Sequence, residues 1–371
     1  MIEEVLLTSI CRPKQWKTVS TKDLLEDGYP IYGANGKIGF YHTYTHEFPT
    51  ILITCRGATC GTINVSESKS YVNGNAMALD NLSSKVNMCF LKHFLEYRKL
   101  DDVISGSAQP QITGQGLSKV KIPLPPLPQQ QKIANILDAA DALRQKDKAL
   151  LAKYDELTQA LFLDMFGDPV SNPKGWEKKE IIELINPNRP ITYGILMPKE
   201  DVKPLGIPYI KVVDVKDGLI LHDRVCHTTN EIESKYKRSR LKEDDLLISI
   251  RGHVGRVCLV PKEYNFANIT QDTARLDFLR EVEPVFAEYC LGSLEFQRYM
   301  SRYVKGAGVK GINLGDLKKL LLPVPEINTQ KKFAQAIRLL KTQKAIAQKS
   351  LGKSEVLFNS LLQKAFKGEL I

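Results

Sequence analysis

The chain has 371 residues, 43% hydrophobic and 25% charged, an ordinary balance for globular domains and enough length for about two of them. No apolar run approaches the roughly 20 residues of a membrane span. The acidic start, Met1-Ile2-Glu3-Glu4-Val5, lacks the pattern of a secretory signal. Seven scattered cysteines without a CxxC pair argue against a disulfide framework and fit reduced thiols, so a cytoplasmic location is expected.

The net charge of +10 suits a nucleic-acid partner, but the excess is unevenly placed. Residues 1–126, 127–168, 169–326 and 327–371 carry balances of +2, −2, +3 and +7. These four segments are also the expected domain limits.

Residues 1–126 hold short β-type runs broken by Gly, Asn and Pro: Thr50–Thr54, Gly61–Val65 and Val120–Ile122. A helix is expected over Met88–Lys99. Residues 129–166 contain no Gly or Pro. Ile136, Leu143, Leu150 and Leu157 recur every seven residues, and Ile133, Ala140, Tyr154 and Leu161 fill a companion row that Asp147 interrupts. A helix of this length spans about 55 Å and ends at Gly167. Residues 169–326 return to short strands, Pro208–Val213, Asp245–Ile250 and Arg256–Val260, with a helix expected over Val285–Tyr303. Residues 329–366 form a second long helix, with Phe333, Ile337, Leu340, Ala347, Leu351, Phe358 and Leu361 on its stripe and Gly352 weakening it locally.

Residues 104–168 and 304–368 align without a gap at an offset of 200. Gln130/Gln330, Lys132/Lys332, Ala134/Ala334, Leu157/Leu357, Leu161/Leu361 and Phe166/Phe366 are identical. Both helices follow a proline-fixed joint, Ile122-Pro123-Leu124-Pro125 and Leu322-Pro323-Val324-Pro325. The expected fold is α+β: two mixed α/β globular domains separated by two long antiparallel coiled-coil-like helices, with a pseudo-two-fold internal repeat. The acidic and basic balances of the helices favour their pairing, modestly for exposed charges.

A search for catalytic motifs is negative. Gly114-Gln115-Gly116 and Gly306-Ala307-Gly308 do not sit between a strand and a helix as a dinucleotide fingerprint requires. Gly352-Lys353-Ser354 has Ala347 where a phosphate-binding loop needs Gly. His42 and His46 have ligand-like spacing, but no CxxC accompanies them. The chain reads as a binding protein, not an enzyme, with no metal and no cofactor of its own.

An ordered series of motifs then becomes specific. Gly28-Tyr29-Pro30-Ile31-Tyr32-Gly33-Ala34-Asn35-Gly36-Lys37-Ile38-Gly39 is followed by Arg56-Gly57-Ala58-Thr59-Cys60-Gly61, by Gly106…Gln111-Ile112 and by the proline joint running into Gln129-Gln130. The second half repeats the pattern with Gly175-Trp176, Pro190–Ile195, Gly206–Ile210, Arg251-Gly252-His253-Val254-Gly255 and Gly311-Ile312-Asn313-Leu314. Over essentially its whole length the chain resembles the DNA-specificity (S) subunits of type I restriction–modification enzymes. It departs from them at Gln129, where Glu is usual, and at Asn328-Thr329-Gln330.

The resemblance implies two target recognition domains, each reading half of a split double-stranded DNA target. It implies two long helices that space the domains and bind two methyltransferase subunits. S-adenosylmethionine would belong to those subunits, which methylate adenine. Mg and ATP would belong to restriction–translocase subunits that join the assembly. The divergence of residues 28–48 from 186–224 predicts unlike half-sites. A free-standing bipartite DNA-binding or architectural protein is the alternative, and a single-chain enzyme a third reading that the missing motifs disfavour.

Groove readout needs donors and acceptors on exposed loops. The candidates are Tyr32, Asn35, Lys37, Arg56, Ser107, Gln109 and Gln111 in the first domain. In the second they are Tyr193, Lys211, Arg251, His253, Lys305, Lys310 and Asn313. The competing readings are that Arg56 and Arg251 brace hairpins, that Tyr32 and Tyr193 are core aromatics, and that Lys305 and Lys310 are solvated charges.

Overall fold

The computed structural model describes residues 3–34, 36–106, 109–306 and 308–370. The chain divides into two compact units, Met1–Leu150 with Ala347–Ile371, and Leu151–Ile346. The long helices, Leu127–Phe166 and Ile327–Lys367, each contribute to both units. No helix among the described residues is long and apolar enough to cross a membrane.

Both units follow one plan. In the first, an antiparallel sheet runs in the order Arg12–Gln15, Ala76–Asp80, Ile51–Thr54, Ile63–Val65. A second sheet places Tyr29–Gly33 between Gly36–Tyr41 and Tyr71–Val72, parallel to the latter. In the second unit, Thr192–Tyr193, Thr273–Leu276, Leu246–Ser249 and Val257–Leu259 repeat the first sheet. Cys226–Thr228, Ile207–Ile210 and Asn268–Ile269 repeat the second, again with one parallel pair. Ile51–Thr54 and Leu246–Ser249 are buried throughout, so these central strands read as continuous apolar runs rather than alternating ones.

The helix Met88–Arg98 matches its expected place; the Asn87 side chain caps it, accepting from the Phe90 N–H at 2.9 Å. The helix expected over Val285–Tyr303 is instead two, Pro284–Gly292 and Leu294–Ser301. Ser293, directly after Gly292, takes an extended conformation between them and caps the second through its side chain.

A buried glutamine ties each long helix to its own unit. Gln130 is fully buried. Its amide donates to Pro125 O at 2.8 Å and Lys85 O at 3.0 Å, and accepts from the Asn87 N–H at 2.8 Å. Gln330 repeats this with Pro325 O at 2.7 Å, Glu281 O at 3.0 Å and the Glu283 N–H at 2.9 Å. The proline joint and the loop before each domain helix are thereby fixed to the long helix by three bonds.

Within each unit the helix segments run antiparallel. In the first, Ile133, Ala134 and Leu137 pack with Phe90 and Ala365, while farther along the same helix Asp147 meets Ser350 and Ser354. Ser354 donates to the Asp147 carboxylate at 2.8 Å. Arg144 lies 4.3 Å over the Phe358 ring. In the second, Phe162 and Phe166 pack on Phe333, and Asp155 pairs with Lys344. The ion pair Lys148–Glu355 has its signs opposite to the expectation from segment charge. Both ion pairs are exposed and worth little, so apolar packing and the Asp147 bonds hold the seam.

The seam is not the leucine row expected from the heptad. Ile136, Leu143, Leu150 and Leu157 are 37–50% exposed. The neighbouring row of Ile133, Ala140 and Asp147, with Leu137 beside it, faces inward. A seven-residue repeat fixes a stripe but not which of two adjacent stripes is buried, and a carboxylate held by two serine hydroxyls disguised the true one.

Replacing Gln330 by Ala strands a buried N–H and two carbonyls, and should cost about 3 kcal/mol in denaturant unfolding. Leu143→Ala, on the exposed row, should stay within about 0.5 kcal/mol. A loss of about 3 kcal/mol for Leu143→Ala would refute this assignment of faces, and a loss under about 0.5 kcal/mol for Gln330→Ala would refute the clamp.

Candidate nucleic-acid interface

Each central strand ends in an Arg-Gly turn. Thr54-Cys55-Arg56-Gly57 follows one strand and Ser249-Ile250-Arg251-Gly252 the other. Gly57 (φ 90°) and Gly252 (φ 71°) lie in the left-handed region, where a side chain would strain the backbone although space is free. The turn is stitched to a second loop in the same way twice. Gly57 N–H donates to Pro110 O at 3.1 Å and Ile112 N–H to Cys55 O at 3.0 Å. Gly252 N–H donates to Lys310 O at 2.9 Å and Ile312 N–H to Ile250 O at 2.9 Å. Arg56 bridges Gln111 and Arg251 bridges Gly311 as isolated β-pairs. The second loop doubles back on a glycine in each copy. A Cβ on Gly106 would lie 2.6 Å from Gln109 O, and one on Gly306 2.3 Å from Val309 O.

This stitching brings Arg56, Gln109 and Gln111 to one exposed rim of the first unit. The Thr54 hydroxyl donates to Ala34 O at 2.7 Å and holds the Ala34 turn beside them. Asn35 and Ser107 lie outside the described residues. The Arg56 guanidinium has no hydrogen bond or ion pair to a described residue. Lys37 is exposed but pairs with Glu67 at 3.3 Å and lies 4.6 Å over the Phe40 ring, so its charge is partly spent. Tyr32 is a core residue, 7% exposed. Its hydroxyl donates to Glu67 Oε1 at 3.1 Å and accepts from the Glu67 N–H, and burial pushes the phenol up from its ordinary value. Its place is that of a brace under Glu67.

In the second unit Tyr193, Arg251, Lys305 and Asn313 line one cavity of about 500 Å3, together with Gln271 and Tyr303. Tyr193 is 46% exposed there, not a core aromatic. His253 and Lys310 are exposed on the two stitched loops, and the Arg251 guanidinium has no hydrogen bond or ion pair to a described residue. Lys305 pairs loosely with Asp316 at 3.6 Å. Asn313 is occupied as a helix cap: it accepts from the Asp316 N–H at 2.8 Å and donates to Asp316 Oδ2 at 2.7 Å. Thr113 caps the matching helix of the first unit by accepting from Gly116 N–H at 3.1 Å. Lys211 is not part of this lining. Its ammonium sits 2.8 Å from Cys226 Sγ and 3.9 Å from the buried Asp214 carboxylate.

Gln271 and Tyr303 escape a motif reading because neither belongs to a glycine-flanked element. Gln271 lies between two buried strands, Asn268–Ile269 and Thr273–Leu276, whose own polar residues Asn268, Thr273 and Arg275 hide it in the sequence.

Comparison with known proteins agrees with this frame. A family model described as the type I restriction modification DNA specificity domain matches residues 2–153 and 173–352. The chain is 26% identical to the type I restriction enzyme EcoBI specificity subunit of Escherichia coli, an alignment covering 95% of this chain and 79% of that one. It is 25% identical to the MjaIX specificity subunit of Methanocaldococcus jannaschii, covering 95% and 86%. Its fold matches the crystal structure of the type I restriction–modification S subunit from M. genitalium with a TM-score of 0.65, at 17% identity, covering 98% of this chain and 95% of that one. With both repeats matched by the family, the chain belongs to the type I restriction–modification DNA specificity family.

Proposed function

We propose that this protein is the sequence-reading subunit of a type I restriction–modification complex, in which each unit reads one half of a split, asymmetric double-stranded DNA target. The observation that carries the reading is the duplicated Arg-Gly turn stitched to a glycine-bent loop. The scaffold is the same in both units, yet one rim bears Gln109 and Gln111 where the other bears Val309 and Gly311 and opens a cavity. Shared backbone with unlike side chains suits a protein that holds two different half-sites in one manner. Arg56 and Arg251 are exposed, and their guanidiniums have no partner among the described residues, which leaves them available to phosphate or guanine.

In this reading the chain catalyses nothing. Two methyltransferase subunits dock on the long helices and supply S-adenosylmethionine. Restriction–translocase subunits bring Mg and ATP, and the complex works in the cytoplasm. Half-sites about one helical turn apart would present the same face to both units.

Single-molecule sequencing of host DNA should reveal methyladenine in a split, non-palindromic motif that vanishes when this gene is deleted. A palindromic motif, or one indifferent to the deletion, contradicts the proposal. Lys310, exposed at a loop tip, is assigned to phosphate. Its replacement by Ala should weaken binding to all duplexes alike and lower the salt slope by about one. An unchanged slope would remove Lys310 from the interface.

A further inference from the structure

The two units can be superimposed strand by strand through their pairing, and the match exposes one position where they differ in kind. Thr54 pairs with Ala76 in the first unit, as Ser249 pairs with Thr273 in the second. Two residues beyond the first partner stand Arg56 and Arg251. Two residues before the second stand Gly74 and Gln271. The strand alongside contributes Gln15, paired with Met77, and Tyr193, paired with Ala274.

In the first unit this corner is closed. Gln15 is exposed like Tyr193, but its amide is spent within the unit, donating to Gly74 O at 3.1 Å and meeting Cys55 Sγ at 2.9 Å. A Cβ on Gly74 would lie 2.4 Å from Thr18 Oγ1 and 2.8 Å from Trp16 O, so no side chain fits. In the second unit the corner is open. Tyr193 is half-exposed, and Gln271 and Arg251 line the cavity of about 500 Å3. The Gln271 backbone is fixed, its N–H donating to Ile195 O at 3.0 Å. Its side-chain amide has no hydrogen bond to any described residue. A half-buried amide on a hydrogen-bonded backbone, in one cavity with a guanidinium and with neither group paired among the described residues, is poised for an outside partner.

We propose that Gln271 is a base-reading residue of the second unit and that its ligand is an adenine edge, a proposal that rests on the DNA-reading function above. A glutamine amide offers one donor and one acceptor in a plane, the complement of adenine N7 and N6–H2 in the major groove. Neither a lysine nor an arginine makes that match. The closed corner around Gly74 has no counterpart to this contact, so the two half-sites are read through different sets of positions as well as different residues.

The test is selection of duplexes from a randomised library by the full chain, in the complex in which it is isolated. The unaltered protein should enrich a split motif with a required adenine in the half bound by the second unit. Gln271→Ala should lose preference at that base pair alone, by roughly 5- to 150-fold, and keep the other half intact. Gln271→Glu, nearly the same size, should lose the adenine preference and turn toward cytosine, whose N4 group donates to a carboxylate; it serves if the alanine variant does not fold. Folded variants that keep the original motif, or that lose both halves equally, overturn the role of Gln271 while DNA reading stands. An unaltered protein that enriches no motif overturns the DNA-reading function itself.

Discussion

The structure depends on a buried glutamine used twice. Gln130 and Gln330 each satisfy two carbonyls and one N–H that burial would otherwise leave costly, and in doing so fasten a proline joint, a domain loop and a long helix at one point. The two units share sheet order, parallel pairing and the stitched Arg-Gly turn, while the side chains at the rim differ.

Much of this frame is legible in the sequence because it is repeated without a gap. The offset of 200 finds the joint, the helix and the glutamine, although it cannot say what the glutamine does, since its three partners are distant loop atoms. The central strands are legible as short apolar runs. The helix seam is not, because Asp147 looks like an error in a heptad until Ser350 and Ser354 are seen to hold it. The break at Ser293 is likewise local, set by a capping hydroxyl directly after Gly292.

The reading surface is less legible, for a physical reason. Residue type shows that Arg56 and Arg251 lie in glycine turns, but not that both remain unpaired. Tyr32 and Tyr193 look equivalent in sequence; one braces Glu67 in the core and the other opens on a cavity. Lys37 and Lys211 are candidates by residue type, yet Glu67, Asp214 and Cys226 already engage them. Gln271 is invisible by motif, and emerges only when the pairing register aligns it with a glycine that has no room for a side chain. Exposure and internal pairing decide which polar residues remain for DNA, and both are properties of the fold.

The central claim is that one clamped frame carries two independent reading surfaces. The most direct measurement is domain exchange: residues 169–326 replaced by the corresponding segment of a relative with a different methylation motif, and the motif read by sequencing host DNA. One half of the motif should change to that of the donor while the other half is retained. A change in both halves, or in neither, would contradict it.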